Sequence, residues 1–166
     1  MGPQGPPGSS GSLEDYPSII DINWPHDGTG TIQLLQKLQL KLNSELADRF
    51  IERMPRIVQV WVEPVSDITK PSTPMAMLTL HGSAFAEEAT VISWTLSDDL
   101  AALQQTINFG CRVLIRVHCG FICNYKEMVY SASTEKIFGV GSPHLPGGVF
   151  ESWFFISRKG VVLPRL

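Results

Sequence analysis

Cys111-Arg112-Val113-Leu114-Ile115-Arg116-Val117-His118-Cys119 is the stretch on which the fold turns. Side chains of an extended chain alternate between two sides, so Cys111, Val113, Ile115, Val117 and Cys119 share one face, and Arg112, Leu114, Arg116 and His118 share the other. The first face belongs to a core. The second meets solvent or a partner.

Segments on either side carry the same mark. Residues 57–63, Ile-Val-Gln-Val-Trp-Val-Glu, are rich in β-branched and aromatic side chains and run into Pro64, which has no N–H to give a ladder. Alternation there sets Trp61 beside Gln59 and Glu63, opposite Val58, Val60 and Val62. Residues 76–81 form another apolar run, ending at Gly82, and residues 90–96 repeat it. Residues 149–156, with four aromatic rings in eight positions, read as a final strand buried on both faces. A helical insert separates 96 from 111: Ser97-Asp98-Asp99 offers oxygens to cap free amides, Leu100, Leu103 and Ile107 recur at helical spacing, and Asn108-Phe109-Gly110 stops the run.

Residues 31–46 read two ways, because Leu34, Leu35, Leu38 and Leu42 lie on one helical face while Leu38, Leu40 and Leu42 also alternate with Gln39, Lys41 and Asn43. A short helix over 31–37 followed by a strand over 38–43 is the division adopted; one continuous helix is the alternative. Residues 16–28 hold a short apolar segment closed by Trp24-Pro25-His26-Asp27-Gly28, a turn sequence. Residues 125–148, with glycine and proline clustered toward the end, read as a long ordered loop. Several short strands with turn residues between them predict a mainly β chain, an antiparallel β-sandwich with one or two short helices. No repeat of 20 to 50 residues is present, which argues against a solenoid.

Composition bounds the function. The 166 residues carry 16 acidic and 13 basic side chains, a net charge of -3, which gives no electrostatic footprint for nucleic acid. No apolar run approaches the ~20 residues of a membrane helix, so membrane insertion is not expected. Charged residues make up 17% of the chain, below the usual ~25%, which leaves surface to be covered in an assembly. Residues 2–12 place glycine at every third position, at Gly2, Gly5, Gly8 and Gly11, with proline between. Only glycine fits the axis of three wound chains, so residues 1–15 read as a collagen-like stub, with a flexible linker or tag as the alternative, and residues 16–166 as one domain.

Several of these segments resemble the bacterial immunoglobulin-like domains of the S-layer type. The resemblance runs through Leu38-Gln39-Leu40-Lys41-Leu42-Asn43-Ser44-Glu45, residues 90–96, the strand at 112–117 and Gly120-Phe121-Ile122. The ends, Ile22-Asn23-Trp24-Pro25-His26-Asp27-Gly28 and Gly147-Gly148-Val149-Phe150-Glu151-Ser152-Trp153-Phe154, are similar to those of an uncharacterised bacterial domain of this architecture. The resemblance implies an Ig-like sandwich acting as a structural or adhesive module with no catalytic residues. Where those domains continue with Asp and Gly, this chain has Cys123-Asn124-Tyr125-Lys126, so no ion site is carried over.

Side-chain constellations add little chemistry. His118, Cys119 and Cys123 suit zinc by type, but neighbours on a strand point apart and a fourth ligand is missing, so no metal is expected. Buried thiols at Cys111 and Cys119 are the simpler reading, and a Cys119–Cys123 bridge is an option outside the cell. His26 and Asp27, joined by Glu151 or His144, would make an acid–base group, whereas a Pro-His-Asp-Gly turn explains the same residues. No nucleophile elbow, phosphate loop or dinucleotide fingerprint is present, so neither an enzyme nor a cofactor is expected.

Two functions stand. The first is a non-enzymatic, oligomerising head, trimeric, on a collagen-like stalk of an extracellular or cell-surface fibre, its partner being itself. The second is a monomeric carbohydrate- or protein-binding domain that uses exposed Trp61, Tyr125 and Tyr130 against a glycan or a surface protein.

Overall fold

A computed structural model describes residues 16–48, 57–64, 77–107, 110–132, 139–141 and 146–157. The strands are β1 (Ile19–Ile22), β2 (Thr29–Gly30), β3 (Leu38–Leu42), β4 (Val58–Pro64), β5 (Leu78–Thr79), β6 (Gly82–Glu88), β7 (Val91–Leu96), β8 (Cys111–His118) and β9 (Val149–Ile156). One α-helix, α1 (Leu100–Thr106), and 3-10 turns at Ile32–Gln36 and Cys119–Phe121 complete the described elements. The chain is mainly β, in two sheets, as the alternation predicts. One sheet has the order β2-β9-β8-β4-β5 and the other β1-β3-β7-β6.

Strand β8 sits at the centre of the larger sheet, paired along its whole length with β9 on one side and along seven residues with β4 on the other. Its odd-numbered residues are fully buried, and their side chains meet Val58, Val60 and Val62 of β4 and Phe150, Phe154 and Ile156 of β9 in the core cluster. Leu38, Leu40 and Leu42 of β3 and Ile92 and Trp94 of β7 supply the opposing layer. Ile32 and Leu35 of the first 3-10 turn, together with Leu103 and Ile107 of the helical insert, close the core at one end, where α1 packs on that turn.

Residues 31–46 resolve in favour of the divided reading. The short helix is a 3-10 turn, and the strand begins at Leu38 because three alternating leucines reach the core only from an extended chain. Asp99 caps α1, its carboxylate accepting from Ala101 N–H at 3.2 Å. Residues 108–109, which were expected to stop the helix, lie outside the described residues, as do residues 1–15.

Two expectations need correction, and one strand is unforeseen. Strand β9 is buried on one face and half-buried on the other, since its outward side chains have no second layer of described residues above them. The pairing is not wholly antiparallel: Phe155 and Ile156 of β9 run parallel to Thr29 and Gly30 of β2, because the turn before β2 lays the chain along that edge. Residues 82–88 form β6, a strand that its composition does not announce. The chain leaves β4's edge at Leu80, whose N–H still donates to Val60 O at 2.9 Å, and crosses into the other sheet by Gly82.

Gly82 makes that crossing under the indole of Trp94. A Cβ built there would lie 2.2 Å from the Trp94 ring and 2.5 Å from Thr95 O, a backbone atom that cannot swing aside. Gly82→Ala is therefore expected to destabilise the fold by about 1–3 kcal/mol, the usual range for overpacking. Urea unfolding should show a lower midpoint at unchanged slope; an unchanged midpoint would refute the close approach.

Candidate functional site

The outward face of the β2-β9-β8-β4-β5 sheet brings together side chains that are far apart in sequence. Register sets Gln59, Arg116 and Glu151 in one cross-strand row, Trp61, Leu114 and Trp153 in the next, and Glu63, Arg112 and Phe155 in a third. Two interstrand gaps separate the Cα atoms of Trp61 and Trp153, roughly 9.6 Å. Leu114 fills the space between and is only 7% exposed, although it faces away from the core.

Charge and aromatic groups interlock across the rows. Arg116 Cζ lies 5.0 Å from the Trp61 ring centroid, and Arg112 Cζ lies 5.9 Å from that of Trp153, both within cation–π range. Arg112 pairs with Glu63 at 3.0 Å and Arg116 with Glu151 at 3.4 Å. Glu63 is 3% exposed, a carboxylate covered on the outer side of a sheet. Such a group is tolerated when a guanidinium compensates it, and removing Arg112 would leave it uncompensated. His118 Nε2 lies 2.7 Å from Gln59 Oε1 and ties off the far end of the face.

The opposite outer face has different chemistry. There the Glu87 carboxylate accepts from Lys37, from Gln39 Nε2 at 2.5 Å and from Ser93 Oγ at 2.6 Å. The hydrogen bond from Lys37 is the first cause that holds the Glu87 carboxyl below its ordinary range, followed by that from Ser93. One outer face carries this polar network beside Phe85, which is 36% exposed, and the other carries a half-buried layer of tryptophan, leucine and arginine.

The three sequence-predicted binding residues do not share a site. Trp61 is half-buried on the aromatic face and lines a cleft of about 430 Å³ with Gln59, Thr79, Gly82 and Trp94. Tyr125 is 57% exposed and lines a separate polar cleft of about 180 Å³ with Tyr16, Asn43, Ser44 and Asn124. Tyr130 is not exposed at all, which corrects the expectation of a loop-borne binding ring. It lies in the core, its hydroxyl donates to Ser44 O at 2.6 Å, and burial pushes its pKa up.

The Trp24–Gly28 turn folds against the edge of β9. Trp24 Nε1 donates to Ser152 Oγ at 2.7 Å, which satisfies a hydroxyl buried on the core side between Phe150 and Phe154. His26 Nδ1 lies 2.9 Å from the same oxygen, and the imidazole meets the Trp153 ring edge-on at 4.5 Å. Asp27 takes φ +56, and its carboxylate accepts from Trp153 Nε1 at 2.8 Å. Glu151 points outward to Arg116, so the suggested acid–base group of His26, Asp27 and Glu151 is not assembled; His144 lies outside the described residues. Aspartate in this turn thus bonds an indole across the fold.

Cys111, Cys119 and Cys123 are free thiols, and no group of three metal-binding side chains occurs among the described residues. Burial pushes Cys111 and Cys119 up to about 12, so neither presents a thiolate near neutrality. Leu114, Trp153, Arg112 and Arg116 were not singled out from the sequence. Alternation marks the two arginines as outward, but their neighbours follow from strand register.

No family model matches the chain, and no curated protein matches it. Among solved structures the chain is similar to the crystal structure of the S-layer protein rSbsC(31-844), at 8% identity and a TM-score of 0.41. That alignment covers 86% of this chain and 13% of the other.

Burial of the His26 ring lowers its pKa from the ordinary 6.5, and the neighbouring Asp27 charge only partly opposes this. The folded state thus binds this proton less readily than the unfolded chain does. Stability contributed by neutral His26 is fully present above pH 6.5 and is lost as pH falls through the lowered folded value. Melting temperature should fall from pH 6.5 toward 5 in the wild type, and His26→Gln should flatten that part of the curve. An equal slope in the variant would assign the effect to other groups.

Proposed function

We propose that the chain is a non-enzymatic structural module whose residues 16–166 form one domain that associates with copies of itself. The aromatic and arginine-rich outer face is the observation that supports this reading most. A centre of Trp and Arg held by charged pairs has the residue make-up of a subunit interface. The four glycine-spaced triplets at residues 2–13 add a second line, because such a segment acts only when three chains lie side by side. The module is therefore a trimeric head that registers three chains for a collagen-like stalk, in an extracellular or cell-surface fibre. Light scattering of the purified chain should give about three times the 18.3 kDa of one chain. A monomer at every concentration would exclude the assembly.

The cleft beside Trp61 favours a second reading, a binding site for a sugar ring against the indole, with Gln59 and Thr79 as polar partners. A glycan array would then give a signal that Trp61→Ala removes. A blank array for the wild type would end that reading without touching the first.

A further inference from the structure

We propose that Asp27–Gly28 is a covalent modification site, where the backbone rearranges to an isoaspartyl linkage, and that the Trp153 indole holds this reaction back. The site is independent of how the module assembles or what it binds. These residues are the one Asp-Gly pair in the sequence, and no Asn-Gly pair occurs. Glycine matters because its amide nitrogen is the nucleophile and no Cβ shields it. The Gly28 nitrogen attacks Cγ of the Asp27 carboxylic acid; the nitrogen's proton and the carboxyl hydroxyl leave together as water, which closes a succinimide ring. Water then opens that ring at either carbonyl. Opening at the side-chain carbonyl restores aspartate, and opening at the main-chain carbonyl leaves the chain running through the side chain. No reactant beyond water is required.

The turn presents the pair and restrains it at once. Asp27 is exposed and Gly28 half-buried. Asp27 Oδ1 accepts from Trp153 Nε1 at 2.8 Å, and the Gly28 nitrogen donates to Pro25 O at 2.9 Å, so electrophile and nucleophile are each held by another partner. Asp27 N–H also donates to Trp153 O at 2.7 Å, and Phe155 N–H to Gly28 O at 2.8 Å, which pins both residues to β9. Reaction therefore waits on local opening of this edge. The indole bond is the restraint that a side-chain change can remove.

Rearrangement would act on the edge it comes from. An isoaspartyl linkage adds a methylene to the main chain and moves the carboxylate onto Cα. Neither the bond from Trp153 nor the pairing of Gly28 with Phe155 would keep its register, so β2 would lose its hold on β9.

Peptide mapping after prolonged incubation tests this on the wild type, Trp153→Phe and Tyr125→Phe, with the wild type unfolded in urea as reference. Isoaspartate at Asp27 should form fastest in the unfolded chain and slowest in the folded wild type. Folded Trp153→Phe should convert about tenfold faster than folded wild type, the effect of losing one bond to a carboxylate. Tyr125→Phe, altered at an exposed ring on a separate cleft, should match the wild type. Equal rates in folded wild type and folded Trp153→Phe would overturn the role of the indole, and an unfolded chain without isoaspartate at Asp27 would overturn the site. Should Trp153→Phe fail to fold, the wild type still decides, because equal rates with and without urea would show that the turn restrains nothing.

Discussion

Everything in this sandwich depends on a strand that must satisfy two neighbours and two faces at once. β8 is bonded to β9 and β4 on its two edges, so neither edge is free to shift without breaking a ladder on the other side. A slip by one residue would turn Arg112 and Arg116 into the core and Val113 and Ile115 out of it. Burying an unpaired guanidinium costs several kcal/mol, and the same slip exposes the apolar set, so one register wins decisively. The outer rows of tryptophan and arginine then follow from that register without further instruction.

Much of this was legible in the sequence because it obeys short-range rules. The alternation of residues 111–119, the capping Asp99 and the change of period at Leu38 each act within a few residues, and each appears where expected. β6 was illegible for the opposite reason. Gly82-Ser83-Ala84-Phe85-Ala86-Glu87-Glu88 contains no β-branched residue, and it is extended because β7 pairs along it and Trp94 packs over Gly82. Strand state there is imposed by the neighbour rather than chosen locally.

The candidate face shows the same division. Trp61 could be picked out as facing away from Val58, Val60 and Val62, but its companions Leu114 and Trp153 are 53 and 92 positions further along the chain. Only strand pairing places them in one row. Tyr130 misled for a related reason: residues near turns suggest an exposed ring, yet Ile122 and Ser44 hold it inside, through Tyr130 N–H to Ile122 O at 3.1 Å and its hydroxyl to Ser44 O. Glu63, near the end of its strand, is 3% exposed and paired with Arg112, its cross-strand neighbour.

The clasp between the Trp24–Gly28 turn and β9 joins residues up to 128 positions apart. A ribosome releases the amino end first, so Trp24, Asp27 and the short β2 emerge long before Ser152, Trp153 and Phe155 exist to receive them. Until the last strand clears the exit tunnel, the larger sheet lacks a full-length member and the first tryptophan has no hydroxyl to bind. Closure of the domain thus waits for β9 and does not follow from the earlier arrival of its central strands.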